Sequence, residues 1–176
     1  MSLTLQKSVL DKYRNPVFVE TGSFEGGGIA LALECGFARV YSIEIANRYY
    51  HMCQSKFGSN PKVKVYHGDS AQALPVILKE INAQITFWID AHLPLDGAKS
   101  PGGWRNCPTM MELKAIAQHP IKTHTILIDD RFDFGTAFHD NITVDQLKEQ
   151  LRAINPNYRF VYENGAKTDS VIVALS

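Results

Sequence analysis

Short apolar runs rich in β-branched and aromatic residues alternate with amphipathic segments along the chain. Five of these runs are predicted strands: residues 16–21, 39–45, 62–67, 85–91 and 125–129. Helical spacing marks five other segments: residues 29–35, 46–57, 71–81, 108–118 and 143–154. The run 85–91 is nearly all apolar, which is typical of a strand buried on both faces of a parallel sheet.

The last two strand-like runs, 158–163 and 171–175, are joined by a connection that opens with the turn pair Asn164-Gly165, which favours a hairpin. The whole pattern predicts an α/β fold: a doubly wound, mostly parallel seven-stranded sheet with helices on both faces and a C-terminal antiparallel hairpin. Residues 1–176 are expected to form one domain. Since ligands of such sheets bind beyond the carboxyl ends of the strands, those ends are where function is sought.

The composition narrows the class of partner. Eighteen basic residues balance eighteen acidic ones, so a nucleic-acid partner is not favoured, because phosphate contacts need clustered Lys and Arg. No apolar run is long enough to span a membrane, and no signal peptide opens the chain. The three cysteines match neither a zinc site nor a disulfide framework, which favours a reducing, cytoplasmic setting.

The first strand runs into a glycine-rich turn, Glu20-Thr21-Gly22-Ser23-Phe24-Glu25-Gly26-Gly27-Gly28, that leads to a helix. Glycines let the backbone approach a ligand closely, and a helix amino terminus presents free N–H groups. The same turn is also compatible with a plain connection between a strand and a helix.

Two acids follow the second and third strands. Glu44 lies roughly twenty residues after the glycine turn, the offset of an acid that binds ribose hydroxyls, although a solvated residue at a helix start would look the same. Asp69, in His67-Gly68-Asp69-Ser70, can accept a bond from an adenine amino group or cap the next helix. Both roles are compatible if they use different atoms.

Taken together, Glu20-x-Gly22-x-x-x-Gly26-x-Gly28, Glu44 and Gly68-Asp69-Ser70 resemble the S-adenosylmethionine (SAM) motifs of the Rossmann-like (class I) methyltransferases. The resemblance covers nearly the whole chain, and the terminal hairpin agrees with it. The glycine spacing departs from the G-x-G-x-x-G of nicotinamide-dependent reductases. The resemblance implies SAM as cofactor, with these binding residues: Glu20, Gly22, Ser23, Phe24, Gly26, Gly28, Glu44, Asp69, Ser70 and Asp90.

A second acidic feature follows the fourth and fifth strands. Asp90 and His92 lie at the end of the fourth strand, and Asp129 and Asp130 lie at the end of the fifth. Carboxylates that converge in this way repel one another unless a cation such as Mg²⁺ neutralises them. The arrangement resembles the metal-dependent O-methyltransferases of the catechol and macrolide or aminocoumarin sugar types. That resemblance implies Asp90, Asp129 and Asp130 as Mg²⁺ ligands, and Asp90 and His92 as catalytic residues, with His92 as the base.

Other readings of the cluster stay open. Asp90 can lie beside the methionine part of SAM, Asp129 and Asp130 can cap a turn, and His92 can be a loop histidine. Those methyltransferase families more often carry Lys or Asp near the position of His92.

The function expected is SAM-dependent, Mg²⁺-assisted O-methylation of a small-molecule or glycosidic hydroxyl. Metal-free N- or C-methylation, a non-catalytic SAM-binding or regulatory domain and a nicotinamide-dependent reductase are the alternatives. Residues 1–15 are short for the cap that such enzymes carry, so either the pocket is open or a second subunit of a homo-oligomer completes it. The long loop 93–106 is expected to be functional.

Overall fold

The computed structural model describes residues 4–92 and 106–176, and these form a seven-stranded sheet. Its strands are β1 (Val17–Thr21), β2 (Arg39–Glu44), β3 (Val63–His67), β4 (Ile85–Ile89), β5 (Thr125–Ile128), β6 (Arg159–Glu163) and β7 (Val171–Leu175). The spatial order is β3-β2-β1-β4-β5-β7-β6, and β7 runs antiparallel to both of its neighbours. The predicted fold class is confirmed, including the C-terminal hairpin.

Within the described residues, six α-helices surround the sheet: α1 (Lys7–Lys12), α2 (Gly27–Glu34), α3 (Asn47–Phe57), α4 (Ser70–Ile77), α5 (Thr109–Gln118) and α6 (Val144–Ile154). The single helix predicted over 71–81 is divided, since α4 ends at Ile77 and a 3₁₀ turn, Leu78–Glu80, follows it. At the start of α6, Thr143 and Gln146 form a capping box. None of the helices described has the length and apolar character needed to cross a membrane.

The sheet separates two apolar layers, because neighbouring residues of a strand face opposite sides. On one face of the sheet, Val19 and Phe87 pack against residues of α4, α5 and α6. On the opposite face, Phe18 and Trp88 pack against residues of α1, α2 and α3. With both faces covered, polar side chains collect at the two edges where strands begin and end.

The amino edge, where β4 and β5 begin, holds a buried pair of histidines. The Ile85 N–H donates to His124 Nδ1 over 3.1 Å, so the proton of His124 is on Nε2, which lies 2.9 Å from His119 Nδ1. His119 Nε2 in turn donates to the Ile81 carbonyl over 2.8 Å. All four ring nitrogens therefore have partners, and burial lowers the pKa of His124 to about 4.

Candidate functional site

A cavity of about 740 Å³ opens at the carboxyl edge of the sheet, beyond the ends of β1, β2, β3, β4 and β5. Its walls include every site residue that the sequence predicted: Glu20, Gly22, Ser23, Phe24, Gly26, Gly28, Glu44, Asp69, Ser70, Asp90, His92, Asp129 and Asp130. The parallel sheet brings them together because all of these strands end at one edge.

The glycine turn leaves little room for side chains. Gly22 has a φ of +85°, and a Cβ there would lie 3.0 Å from the Asp90 carbonyl oxygen. A Cβ on Gly28 would lie 1.8 Å from Glu20 Oε2. Glycine at these two positions therefore lets the turn and the first residues of α2 lie directly on β1 and on the end of β4.

Glu20 lies beneath this turn, where it is 1% exposed. The Ser42 hydroxyl donates to Glu20 Oε1 over 2.6 Å, and Ser42 is also hydrogen-bonded to Ser23. Burial raises the pKa of Glu20 to about 8, with a smaller contribution from the charge of Glu44. The side chain is therefore mainly protonated at neutral pH and links the turn to β2.

Glu44 ends β2 and is buried, 5% exposed, so the alternative of a solvated residue is wrong. Its Oε2 accepts from the Phe24 N–H over 2.8 Å, and its Oε1 accepts from the Ala46 N–H over 2.7 Å. The first bond holds Phe24 in a left-handed conformation with φ +46°. Since each carboxylate oxygen has two lone pairs, Glu44 can accept further bonds from hydroxyl groups in the cavity.

The two carboxylate oxygens of Asp69 are placed differently, which keeps both of its possible roles compatible. Its Oδ1 accepts from the Ala71 N–H over 3.0 Å and caps α4. Its Oδ2 is buried and has no hydrogen-bond partner within the part of the chain described. A buried acceptor without a donor costs about 1–3 kcal/mol, so the site is suited to a ligand that brings an N–H group.

A group of three potential metal ligands lies farther along the same cavity. Ligand atoms of Asp90, His92 and Asp130 all lie within 4.8 Å of one another. His92 Nε2 is 3.8 Å from Asp90 Oδ1 and 3.5 Å from Asp130 Oδ2. Burial, followed by the charges of Asp129 and Asp130, raises the pKa of Asp90 well above its usual range. Burial also raises the pKa of Asp130, although nearby His92 lowers it.

Asp129 is placed differently from the prediction that made it a ligand. Its Oδ2 accepts a hydrogen bond from the Thr4 hydroxyl, and its Oδ1 would lie 3.1 Å from a Cβ on Gly165. It is 3% exposed, and burial raises its pKa. The structure therefore groups His92, in place of Asp129, with Asp90 and Asp130.

Sequence reasoning missed several residues of the cavity wall. Thr4 comes from the segment before β1, where no pattern signalled a role. Tyr49 lies in the first turn of α3 with its ring centroid 4.5 Å from that of Phe24, and an aromatic residue near a helix start was its only signal. Phe138 was not missed: as a loop aromatic it is expected from the sequence to form a substrate wall or to pack on the rim of the sheet, and its ring centroid lies 5.4 Å from that of His92. Most of the loop predicted to be functional, residues 93–105, lies outside the described residues.

No family model and no curated protein matches the sequence. Solved structures match its fold. A Clostridium thermocellum protein assigned provisionally as an rRNA methylase is 13% identical, with a TM-score of 0.66 and with 100% of this chain and 98% of that chain covered. The Bacillus cereus O-methyltransferase, solved in complex with SAH, is 14% identical, with a TM-score of 0.63. The match covers 97% of this chain and 78% of that chain.

The SAH-bound methyltransferase PaMTH1 of Podospora anserina is 13% identical, with a TM-score of 0.61 and coverage of 96% and 75%. At such identities the likeness establishes the fold. The resemblance to class I methyltransferases drawn from the motifs is thus confirmed for the architecture.

Proposed function

We propose that this protein is a SAM-dependent methyltransferase. One observation carries the proposal: two buried carboxylates, Glu44 and Asp69, line one cavity at the carboxyl edge, and one oxygen of Asp69 has no partner there among the described residues. Two proteins of the same fold, from Bacillus cereus and Podospora anserina, were solved with SAH. Their likeness supports the proposal.

The residues of the cavity suit the chemical groups of SAM. Glu44 would accept bonds from the ribose hydroxyls, and Asp69 Oδ2 would accept one from the adenine amino group. A volume of about 740 Å³ is within the range of about 300–1,000 Å³ that is usual for small-molecule sites. The glycine turn lets backbone N–H groups approach the ligand. SAM, when bound, supplies an electrophilic methyl group.

The finer part of the proposal concerns the acceptor, a hydroxyl of a small molecule or glycoside. Such a hydroxyl loses its proton as its oxygen takes the methyl group, so a base is needed beside it. Asp90 and His92 are the candidates, since both line the cavity at the end of β4. A divalent cation held by carboxylates at the ends of β4 and β5, magnesium in the families that the sequence resembles, would lower the pKa of the hydroxyl.

Titration calorimetry of SAM against the purified protein tests the proposal. We expect the wild type to bind SAM and Glu44→Ala to bind at least about 10-fold more weakly, since a hydrogen bond to a charged group contributes about 1.5–3 kcal/mol. Glu34→Ala, which removes an exposed carboxylate from α2, is the matched control and should bind as the wild type does.

Circular dichroism would verify that Glu44→Ala is folded, because this variant also removes the acceptor of two backbone N–H groups. A wild-type protein that does not bind SAM, or a folded Glu44→Ala protein with unchanged affinity, would contradict the proposal.

A further inference from the structure

We propose that Asp90, His92 and Asp130 form a site for a divalent first-row transition metal, with His92 Nε2 as a ligand, and that this site binds Mg²⁺ less tightly. The inference deepens the proposed function. Only the position of the metal ion beside the acceptor rests on that function, whereas metal binding by these three residues does not. It differs from the magnesium site expected from the sequence in one ligand, His92 for Asp129, and in the identity of the ion.

The spacing of the three side chains supports this assignment. Ligand atoms about 2.0–2.2 Å from a tetrahedral or octahedral ion are about 3–3.6 Å apart. His92 Nε2 lies 3.5 Å from Asp130 Oδ2, within that range, and 3.8 Å from Asp90 Oδ1, only a few tenths of an ångström beyond it. Two of the three spacings are therefore close to those that one ion imposes, and the third is no more than 4.8 Å.

The backbone at Asp130 also favours a formed site. Asp130 has a φ of +58°, a left-handed conformation that is uncommon for a residue with a side chain. Such conformations cost of order 1–3 kcal/mol and tend to occur at ligand-binding positions. Here the conformation accompanies a carboxylate that faces His92 across the edge of the sheet.

Among the described residues, Lys167 lowers the pKa of Asp130 through its charge but forms no salt bridge with it. Within the described residues, no lysine or arginine forms a salt bridge with Asp90, Asp129 or Asp130. Asp129 borders the group at 3% exposure with one oxygen unpaired, and His139, whose ring is 6.1 Å from that of His92, has a buried unpaired Nδ1. A divalent ion would offset the negative charge that these elements bring together.

The donor set decides which ion fits. Mg²⁺ prefers oxygen ligands in a near-ideal octahedron, whereas imidazole suits the later transition metals. For a site with nitrogen and oxygen ligands, affinity rises from Mn²⁺ through Fe²⁺ and Co²⁺ toward Cu²⁺. With its Nε2 committed as a ligand, His92 cannot also use that atom as the base.

Parallel titrations of the wild type with Co²⁺ and Mg²⁺ would test the inference, with calorimetry giving affinities and visible absorption reporting nitrogen ligation of Co²⁺. We expect Co²⁺ to bind at least about 10-fold more tightly than Mg²⁺. His92→Ala should weaken Co²⁺ binding at least about 10-fold, since even outer-sphere partners are worth that much, and should change Mg²⁺ binding far less. Asp130→Asn, which tolerates the same backbone conformation, should weaken both.

His51→Ala and Asp145→Asn remove an exposed histidine and an exposed aspartate, and as matched controls they should bind Co²⁺ as the wild type does. Equal affinity for Co²⁺ and Mg²⁺, or a folded His92→Ala protein with unchanged Co²⁺ binding and spectrum, would overturn the inference. SAM binding measured on the same samples keeps the two proposals separate. SAM binding without Co²⁺ binding contradicts only the metal site, and the reverse contradicts only the SAM site.

Discussion

At the amino edge of the sheet, every ring nitrogen of His119 and His124 has a hydrogen-bond partner, whereas at the carboxyl edge buried oxygens of Asp69 and Asp129 have none among the described residues. Both edges belong to the same strands and both are buried. Folding alone satisfies the polar groups of the amino edge. At the carboxyl edge, the groups left unpaired among the described residues are where, in our proposal, a ligand completes the structure.

The two edges should also respond to pH in opposite directions. Glu20 at the carboxyl edge is an acid with a raised pKa, and His124 at the amino edge is a base with a lowered pKa. In both cases burial disfavours the charged form of the side chain. Acidification therefore favours the folded state at Glu20 and disfavours it at His124, and single variants can separate the two contributions.

The largest effect is expected from Glu20→Gln at alkaline pH. The pKa of Glu20 is about 8 in the folded state against its usual value of 4.5, so the unfolded chain ionises first and stability falls as pH rises from 4.5 to 8. The variant lacks this loss and should be more stable than the wild type by up to about 4 kcal/mol at pH 9. Urea unfolding at several pH values would measure the difference.

Glu34→Gln provides the control for Glu20→Gln, because it alters an exposed glutamate of α2. Its difference from the wild type should be nearly independent of pH. A Glu20→Gln difference that stays constant between pH 4.5 and pH 9 would mean that Glu20 is ionised normally in the folded protein.

A somewhat smaller effect is expected from His124 in acid. Its pKa is about 4 when folded against a usual value of 6.5, so its contribution to stability is complete above pH 6.5 and is lost as pH falls toward 4. That loss amounts to about 3 kcal/mol. His124→Asn should lack this pH-dependent component in unfolding experiments, although the variant is less stable throughout because it breaks the histidine pair.

His51→Asn, at an exposed histidine of α3, should retain the pH dependence of the wild type. If His124→Asn showed the same change in stability between pH 6.5 and pH 4 as the wild type, the buried pair would not be neutral as its hydrogen bonds indicate.

Sequence patterns were sufficient for the sheet, because seven apolar runs of strand length are separated by clear helical periods. They were insufficient for α1, whose six residues are too few to show a period. Chain order placed Asp90, Asp129 and Asp130 at one edge but did not determine which carboxylate faces His92. That depends on the left-handed backbone at Asp130 and on the contact of Asp129 with Thr4, which is distant in sequence. The His119–His124 pair likewise left no periodic signal.

Two helix caps, one in the cavity and one outside it, allow the role of the unpaired oxygen to be tested within a single experiment. Thr143 caps α6 and has no part in the cavity, whereas Asp69 caps α4 with one oxygen and leaves the other unpaired in the cavity. Serine can replace Asp69 as a cap but cannot supply the second oxygen. Thr143→Ala should lower the free energy of unfolding by about 1 kcal/mol and leave SAM binding unchanged.

The most direct test is therefore to measure both SAM affinity and the free energy of unfolding for Asp69→Ser beside Thr143→Ala and the wild type. We expect Asp69→Ser to lose at least about 10-fold in SAM affinity, while its free energy of unfolding does not fall below that of the wild type, because the cap is kept and a buried acceptor without a donor is removed. An Asp69→Ser protein that loses stability but binds SAM as tightly as the wild type would contradict the claim that the unpaired oxygens of the carboxyl edge are there for a ligand.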